Sequence, residues 1–326
     1  MKRLLIFPLC ACLFAATGAL AQEKQMKTTK QTLKVEITDT PVDMISGIIY
    51  SQILTPQNRA LHMTLLTPCT EGPKPAVVFY PGGGFTTANH EQFLDMRMAL
   101  AKAGFVVAAA EYRTVPDRFP ALICDAKSAI RYLRAHADQL GIDPQRIGVL
   151  GASAGGYVVQ MLGTTNGERR FDVGDNLNQS SDVQAVATIY GISNLLNIGE
   201  GFSDAVEKVH QSPASTESLL VNGPAFAEVP GRSIMDDPQK ALDASPIGHV
   251  KEHMPPFLIM HGSADNLVSP KQSEQIYQAL VSKGNRADYV EVEGAGHGDL
   301  SWYQPALIQK VVDWFKQTLM TDASSR

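Results

Sequence analysis

From Pro75 onward the chain alternates short, continuous apolar runs with segments of helical periodicity. The apolar runs are Ala76–Tyr80, Phe105–Ala110, Ile147–Leu150, Ala185–Tyr190, Phe257–Met260 and Tyr289–Val292. Residues 90–103, 121–139, a stretch opening at Ala154, 271–283 and 305–319 read as helices. In the second of these, Leu122, Ala126, Ala129, Ile130 and Leu133 share one face. Strands that are apolar on both faces need cover on both faces. The pattern therefore predicts an α/β fold, a mostly parallel central sheet between two layers of helices. Ahead of it, Leu33–Ile37, Met44–Tyr50 and Leu61–Leu66 alternate with a period of two, as antiparallel strands leading into the sheet would. One stretch breaks the rhythm. Residues 193–250 mix short helical pieces with Gly and Pro, and an insertion of that length reads as a lid or cap. The expected layout is one domain over 33–320 with the lid at 193–250, and a tail at 321–326.

Composition limits the partners. With 44% hydrophobic and 19% charged residues among 326, the chain has ample material for a large core. Met1-Lys2-Arg3, the apolar run Leu4–Leu20 and the small-x-small Ala19-Leu20-Ala21 read as a signal peptide. It would be cut before Gln22, implying a secreted or periplasmic protein. Leu9-Cys10-Ala11-Cys12 loosely matches a lipoprotein signal, but the apolar run continues past it. Residues 22–32 are polar and read as a disordered lead-in. Removing residues 1–21 takes away Lys2 and Arg3 and shifts the formal charge from −5 to −7. That disfavours nucleic acid and anionic membrane as partners, and no second apolar run is long enough for stable membrane insertion. Cys69 and Cys124 remain, as a disulfide or as two thiols.

The chemistry concentrates around Gly151-Ala152-Ser153-Ala154-Gly155. The bare G-x-S-x-G pattern is weak. Here it ends a strand and opens a helix, the setting of a serine nucleophile on a tight turn. A hydroxyl needs a base, and His297 lies among glycines on the loop after strand Tyr289–Val292. The acid that orients it is Asp265, after strand Phe257–Met260, with Glu293 and Asp299 as rivals on the histidine's own loop. The oxyanion formed on attack needs N–H donors. Ala154 supplies one and the loop Pro81-Gly82-Gly83-Gly84-Phe85 the others, Gly83 and Gly84 being the candidates. Phe85 is a candidate substrate contact. His249-Val250-Lys251-Glu252-His253 matches a zinc motif, but Pro255 and Pro256 cut short the helix it requires. No metal or other cofactor is expected.

These motifs, with Glu111-Tyr112-Arg113, Gly141-Ile142-Asp143-Pro144, Arg146-Ile147 and His261–Asp265, make residues 60–318 resemble esterases of the α/β-hydrolase superfamily. The resemblance is greatest to the hormone-sensitive-lipase-like and bacterial feruloyl/acetyl-xylan-esterase-like branch. Two positions depart from it. Pro81 stands where many relatives have His, and Ala152 where many have an acidic residue. The resemblance implies serine ester hydrolysis through an acyl-enzyme. The expected substrates are small or carbohydrate-linked esters, acetyl or feruloyl groups on plant polysaccharide among them. A broad short-chain carboxylesterase, a prolyl-oligopeptidase-like peptidase and a non-catalytic binding protein stay open as alternatives. Glu111-Tyr112-Arg113 is expected to brace the site through an ion pair, and His261 to close its strand. In the lid, Phe202, Leu219, Leu220, Phe226 and Met235 would line a pocket or pack a small local core.

Overall fold

A computed structural model describes residues 30–54 and 58–320. Both the signal-peptide segment and the tail 321–326 lie outside the described residues, as does most of the 22–32 lead-in. Residues 30–38 belong to a unit of their own, irregular and exposed. The strand expected at Leu33–Ile37 is not formed. Its alternation suits a strand, but a strand is held by ladder hydrogen bonds, and these residues enter no ladder; Leu33, Val35 and Ile37 are exposed.

The second unit holds an eight-stranded sheet: β1 (Val42–Ile53), β2 (Arg59–Pro68), β3 (Lys74–Tyr80), β4 (Val106–Ala110), β5 (Ile142–Ala152), β6 (Ala185–Ile189), β7 (Phe257–Gly262) and β8 (Ala287–Val292). Its order is β1-β2-β4-β3-β5-β6-β7-β8. The pairs β1–β2 and β2–β4 are antiparallel and all the others parallel. The register aligns Val78 with Val149 and Leu150 with Ala187, so the strand ends beside Ser153 are level.

Two cores result, one on each face. Val78, Val106, Val149, Val186 and Ile259 point to one side. There they meet α2 (Ala121–Ala135), α4 (Ala154–Thr164) and α8 (Lys271–Ser282), with the one-turn α3 (Ala137–Leu140) alongside. Val77, Phe79, Val107, Leu150 and Leu258 point to the other, against α1 (Leu94–Lys102) and α9 (Pro305–Phe315). Each large aliphatic side chain buried this way contributes about 1.5–3 kcal/mol. Helix α1 starts later than its periodicity suggests. Phe93 sits in the left-handed region at φ 55° with its ring 5.7 Å from that of Phe79, which stops the helix there.

Between β6 and β7 the described chain forms α5 (Asp204–His210), α6 (Thr216–Asn222), α7 (Pro238–Asp243) and short 3-10 turns. The stems of this segment are tied down. Buried Gln272 accepts the N–H groups of Ser193 (2.9 Å) and Asn194 (2.8 Å), and the Tyr157 hydroxyl donates to Ala244 O at 2.7 Å. Leu220 is core, whereas Phe226 and Met235 are exposed. Cys69 and Cys124 are both free thiols, one exposed and one buried, and burial pushes the Cys124 thiol up to about 11. Among the described residues no helix is long and apolar enough to cross a membrane.

Candidate active site

Ser153 sits between the end of β5 and the start of α4 at φ 54° and ψ −122°, a conformation an ordinary residue avoids. Holding it costs on the order of 1–3 kcal/mol. The surroundings impose it. The Ser153 N–H donates to Ile189 O at 3.0 Å, and its carbonyl accepts from Tyr157 N at 3.0 Å. A Cβ on Gly155 would stand 2.0 Å from Tyr80 O, so only glycine lets the helix start this close to β3.

The serine, acid and base meet. Ser153 Oγ is 2.9 Å from His297 Nε2, and His297 Nδ1 is 2.7 Å from Asp265 Oδ2. These contacts span loops far apart in sequence, and the loops are joined directly. Ala264 N–H donates to Ala295 O (3.0 Å), and Gly294 N–H to Ser263 Oγ (2.9 Å). The Asp265 side chain is fully buried and that of His297 13% exposed, so the base alone of the pair reaches the solvent side. Burial raises the Asp265 carboxyl. Hydrogen bonds from His261, His297 and the Leu267 N–H, with the charge on His297, outweigh it and hold the acid well below the usual carboxylate range. The rivals stand elsewhere. Asp299 accepts the N–H groups of Gly296 (2.6 Å) and Ser301 (2.8 Å) and shapes the histidine loop, while Glu293 is exposed.

The glycine loop runs along the tight turn at Ser153, the elbow. A Cβ on Gly82 would meet Ala152 O at 3.0 Å and Ser153 Cβ at 3.1 Å, a closeness that sequence reasoning did not assign to this residue. Gly83 and Gly84 adopt φ 144° and 57°. The loop is fixed from behind by the Tyr112 hydroxyl on Pro81 O (2.6 Å) and by Val115 N–H on Phe85 O (2.8 Å). Phe85 itself is 1% exposed and packs edge-on against Tyr157 at 5.2 Å. It is a core residue supporting the loop, which corrects the expected substrate contact. Its backbone turns at φ 63°, and that turn sends the ring inward.

Arg113 is committed to Asp125, with Nη2 on Oδ1 at 2.8 Å and Nε on Oδ2 at 2.9 Å. Glu111 accepts the His62 N–H at 3.0 Å, so the backbone is held on both sides of Tyr112, the residue of the three that bonds the glycine loop. The residues 250–253 are not helical, His253 lies at φ 61°, and His249 binds Glu168 and Asp243 O. Two aromatic residues escaped sequence reasoning. Tyr190, 3% exposed, places its ring 4.5 Å from that of His297, and Trp302 closes on Tyr190 at 4.8 Å. The Trp302 Nε1–H donates to Gly296 O at 2.8 Å, next to the base. Tyr190 directly follows β6 on the side of the site, and a tryptophan five residues past the base needs a partner for its N–H; both signals were available.

A protein-family model described as BD-FAE matches residues 63–280, the stretch that carries the elbow, the glycine loop and the acid. The chain belongs to the BD-FAE family. It is 32% identical over 234 residues to esterase LipC of Mycobacterium tuberculosis (strain ATCC 25618 / H37Rv), covering 69% of this chain and 53% of that protein. The isoprenylcysteine alpha-carbonyl methylesterase ICME of Arabidopsis thaliana is 25% identical, with 79% and 57% covered. The chain spans about half the length of the curated relatives it matches. Among solved structures, a truncated form of a carbohydrate esterase from gut microbiota superposes with a TM-score of 0.75 at 25% identity, covering 87% of this chain and 98% of that one. A thermophilic esterase of the Planctomycetes species Thermogutta terrifontis, Est2, solved with butyrate bound, gives 0.63 at 26% identity, with 86% and 94% covered. The α/β-hydrolase fold, expected from the motifs, is thus common to this chain and to its esterase neighbours.

Proposed function

We propose that the protein is a serine carboxylic ester hydrolase acting through an acyl-enzyme on acetyl or feruloyl esters of plant polysaccharide or on related small esters. The unbroken chain Ser153–His297–Asp265, beside a glycine loop, carries this reading. His297 Nε2 takes the proton from Ser153 Oγ as that oxygen attacks the ester carbonyl. Asp265 holds the ring with Nδ1–H toward itself and stabilises the cation that forms. In this reading the N–H groups of Gly83, Gly84 and Ala154 receive the developing oxyanion. The proton on Nε2 then passes to the leaving alcohol, and the same nitrogen activates water to release the acid.

Support for a carbohydrate-linked ester comes from the carbohydrate esterase neighbour from gut microbiota. A second reading, a broad short-chain carboxylesterase, is favoured by the Thermogutta terrifontis neighbours solved with butyrate and propionate. The signal-peptide pattern supports action outside the cytoplasm, after cleavage before Gln22. Purified protein is to be compared on acetylated xylan, methyl ferulate, p-nitrophenyl butyrate and a proline nitroanilide. Higher kcat/KM on the first or second substrate supports the polysaccharide reading. Preference for butyrate supports the short-chain reading, and cleavage of the anilide alone contradicts both.

A further inference from the structure

We infer that His261 is a positioning residue that sets the basicity of His297 through the carboxylate they share; the inference rests on the ester-hydrolase reading above. His261 is fully buried at the end of β7 and touches neither Ser153 nor the open side of the site. Its Nε2 lies 3.0 Å from Val268 O and 3.3 Å from Asp265 Oδ2. A carbonyl only accepts, so Nε2 carries the ring proton. Nδ1 is then the acceptor for the Ser273 hydroxyl, 2.7 Å away on α8. This fixes the tautomer, with the Nε2–H bond on Val268 O and its positive end beside the acid.

The carboxylate of Asp265 is ringed by N–H groups. Oδ1 accepts the N–H groups of Leu267 (2.9 Å) and Val268 (3.0 Å). Oδ2 receives His297 Nδ1 at 2.7 Å and faces His261 Nε2 at 3.3 Å. The positive end of the His261 Nε2–H bond, 3.3 Å from the oxygen that holds the base, draws charge away from the bond to His297. The acid then stabilises the imidazolium less, and the base loses its proton at lower pH. Taking the His261 donor away reverses this: Oδ2 pulls harder on His297 and its charged form persists to higher pH. His261 thus extends the working range of the site toward acid, and Ser273 holds it to that task.

The test is the pH dependence of kcat/KM on p-nitrophenyl acetate for the mature protein and for H261F and H261Q. In H261F, which keeps an aromatic ring but no donor, the midpoint of the acid limb is expected to rise by about half to one pH unit. At a fixed pH on that limb this is a loss of roughly three- to tenfold. H261Q carries both an N–H and a carbonyl and is expected to return the midpoint toward that of the unaltered protein. A lower melting temperature of H261F with an unmoved midpoint makes His261 a packing residue and overturns the inference. If H261F does not fold, nitrogen-15 NMR of histidine-labelled unaltered protein decides. A proton on His261 Nε2 is expected, and a proton on Nδ1 with Nε2 bare overturns it. Absence of ester turnover in the unaltered protein is a different failure, that of the hydrolase reading itself.

Discussion

Ser153 can hold φ 54° because Ile189, Tyr157 and the close-packed Gly155 leave its backbone no relaxed alternative. The strain presents Oγ to His297 rather than to the helix it begins. Ser153→Ala is expected to fold normally and to lower kcat on p-nitrophenyl acetate by roughly a thousandfold or more. Asp265→Asn is expected to cost about four orders of magnitude, because the amide favours the wrong tautomer of His297. The same carboxyl has a consequence for stability. It titrates well below its unfolded value of roughly 3.9, so the fold favours its ionised form. That contribution is complete above about pH 4 and is lost as pH falls through the folded value. Urea unfolding at stepped pH should therefore show a shallower acid loss for Asp265→Asn than for the unaltered protein. The serine, acid and base were legible in the sequence, since each follows a strand on a short turn or loop that contains glycine. The role of Phe85 was not. Its inward ring depends on a positive φ, which nothing in its neighbours' identities announces.

The elements matter through the loops they hold. Strands β5, β7 and β8 deliver the nucleophile, acid and base at one edge of the sheet, and β3 delivers the glycine loop beside them. That much follows from apolar runs and turn chemistry. What periodicity could not reveal is how the loops are fastened. Trp302 fastens the histidine loop by one hydrogen bond to Gly296 O and by its packing on Tyr190. Trp302→Phe retains most of the packing and loses the donor, so kcat is expected to fall about tenfold with little change in KM. A matching rise in KM would instead place Trp302 against substrate. Gly155→Ala drives a methyl into Tyr80 O, a backbone atom that cannot step aside. It is expected to lower the unfolding free energy by about 3 kcal/mol, read from a denaturant titration. The segment from 193 to 250 was recognised as an interruption of the sheet pattern, yet its anchoring through Gln272 and Tyr157 depends on distant partners that spacing cannot supply.

For the whole molecule, the chain joins the fold of its family to a serine, histidine and aspartate brought together by three loops. The match to the BD-FAE family covers residues 63–280, whereas the base His297 lies beyond it and is placed by the fold. Secretion, proposed from the first residues, is checked by sequencing the N-terminus of protein recovered from the medium or periplasm, where Gln22 is expected first. The central claim is that Ser153 is the nucleophile of an ester hydrolase. It is tested most directly by reacting the protein with a fluorophosphonate and locating the adduct by peptide mass spectrometry while ester hydrolysis is followed. A single adduct on Ser153, growing in step with the loss of activity, is the expected result. An adduct confined to another residue, or hydrolysis that persists once Ser153 is fully modified, would contradict it.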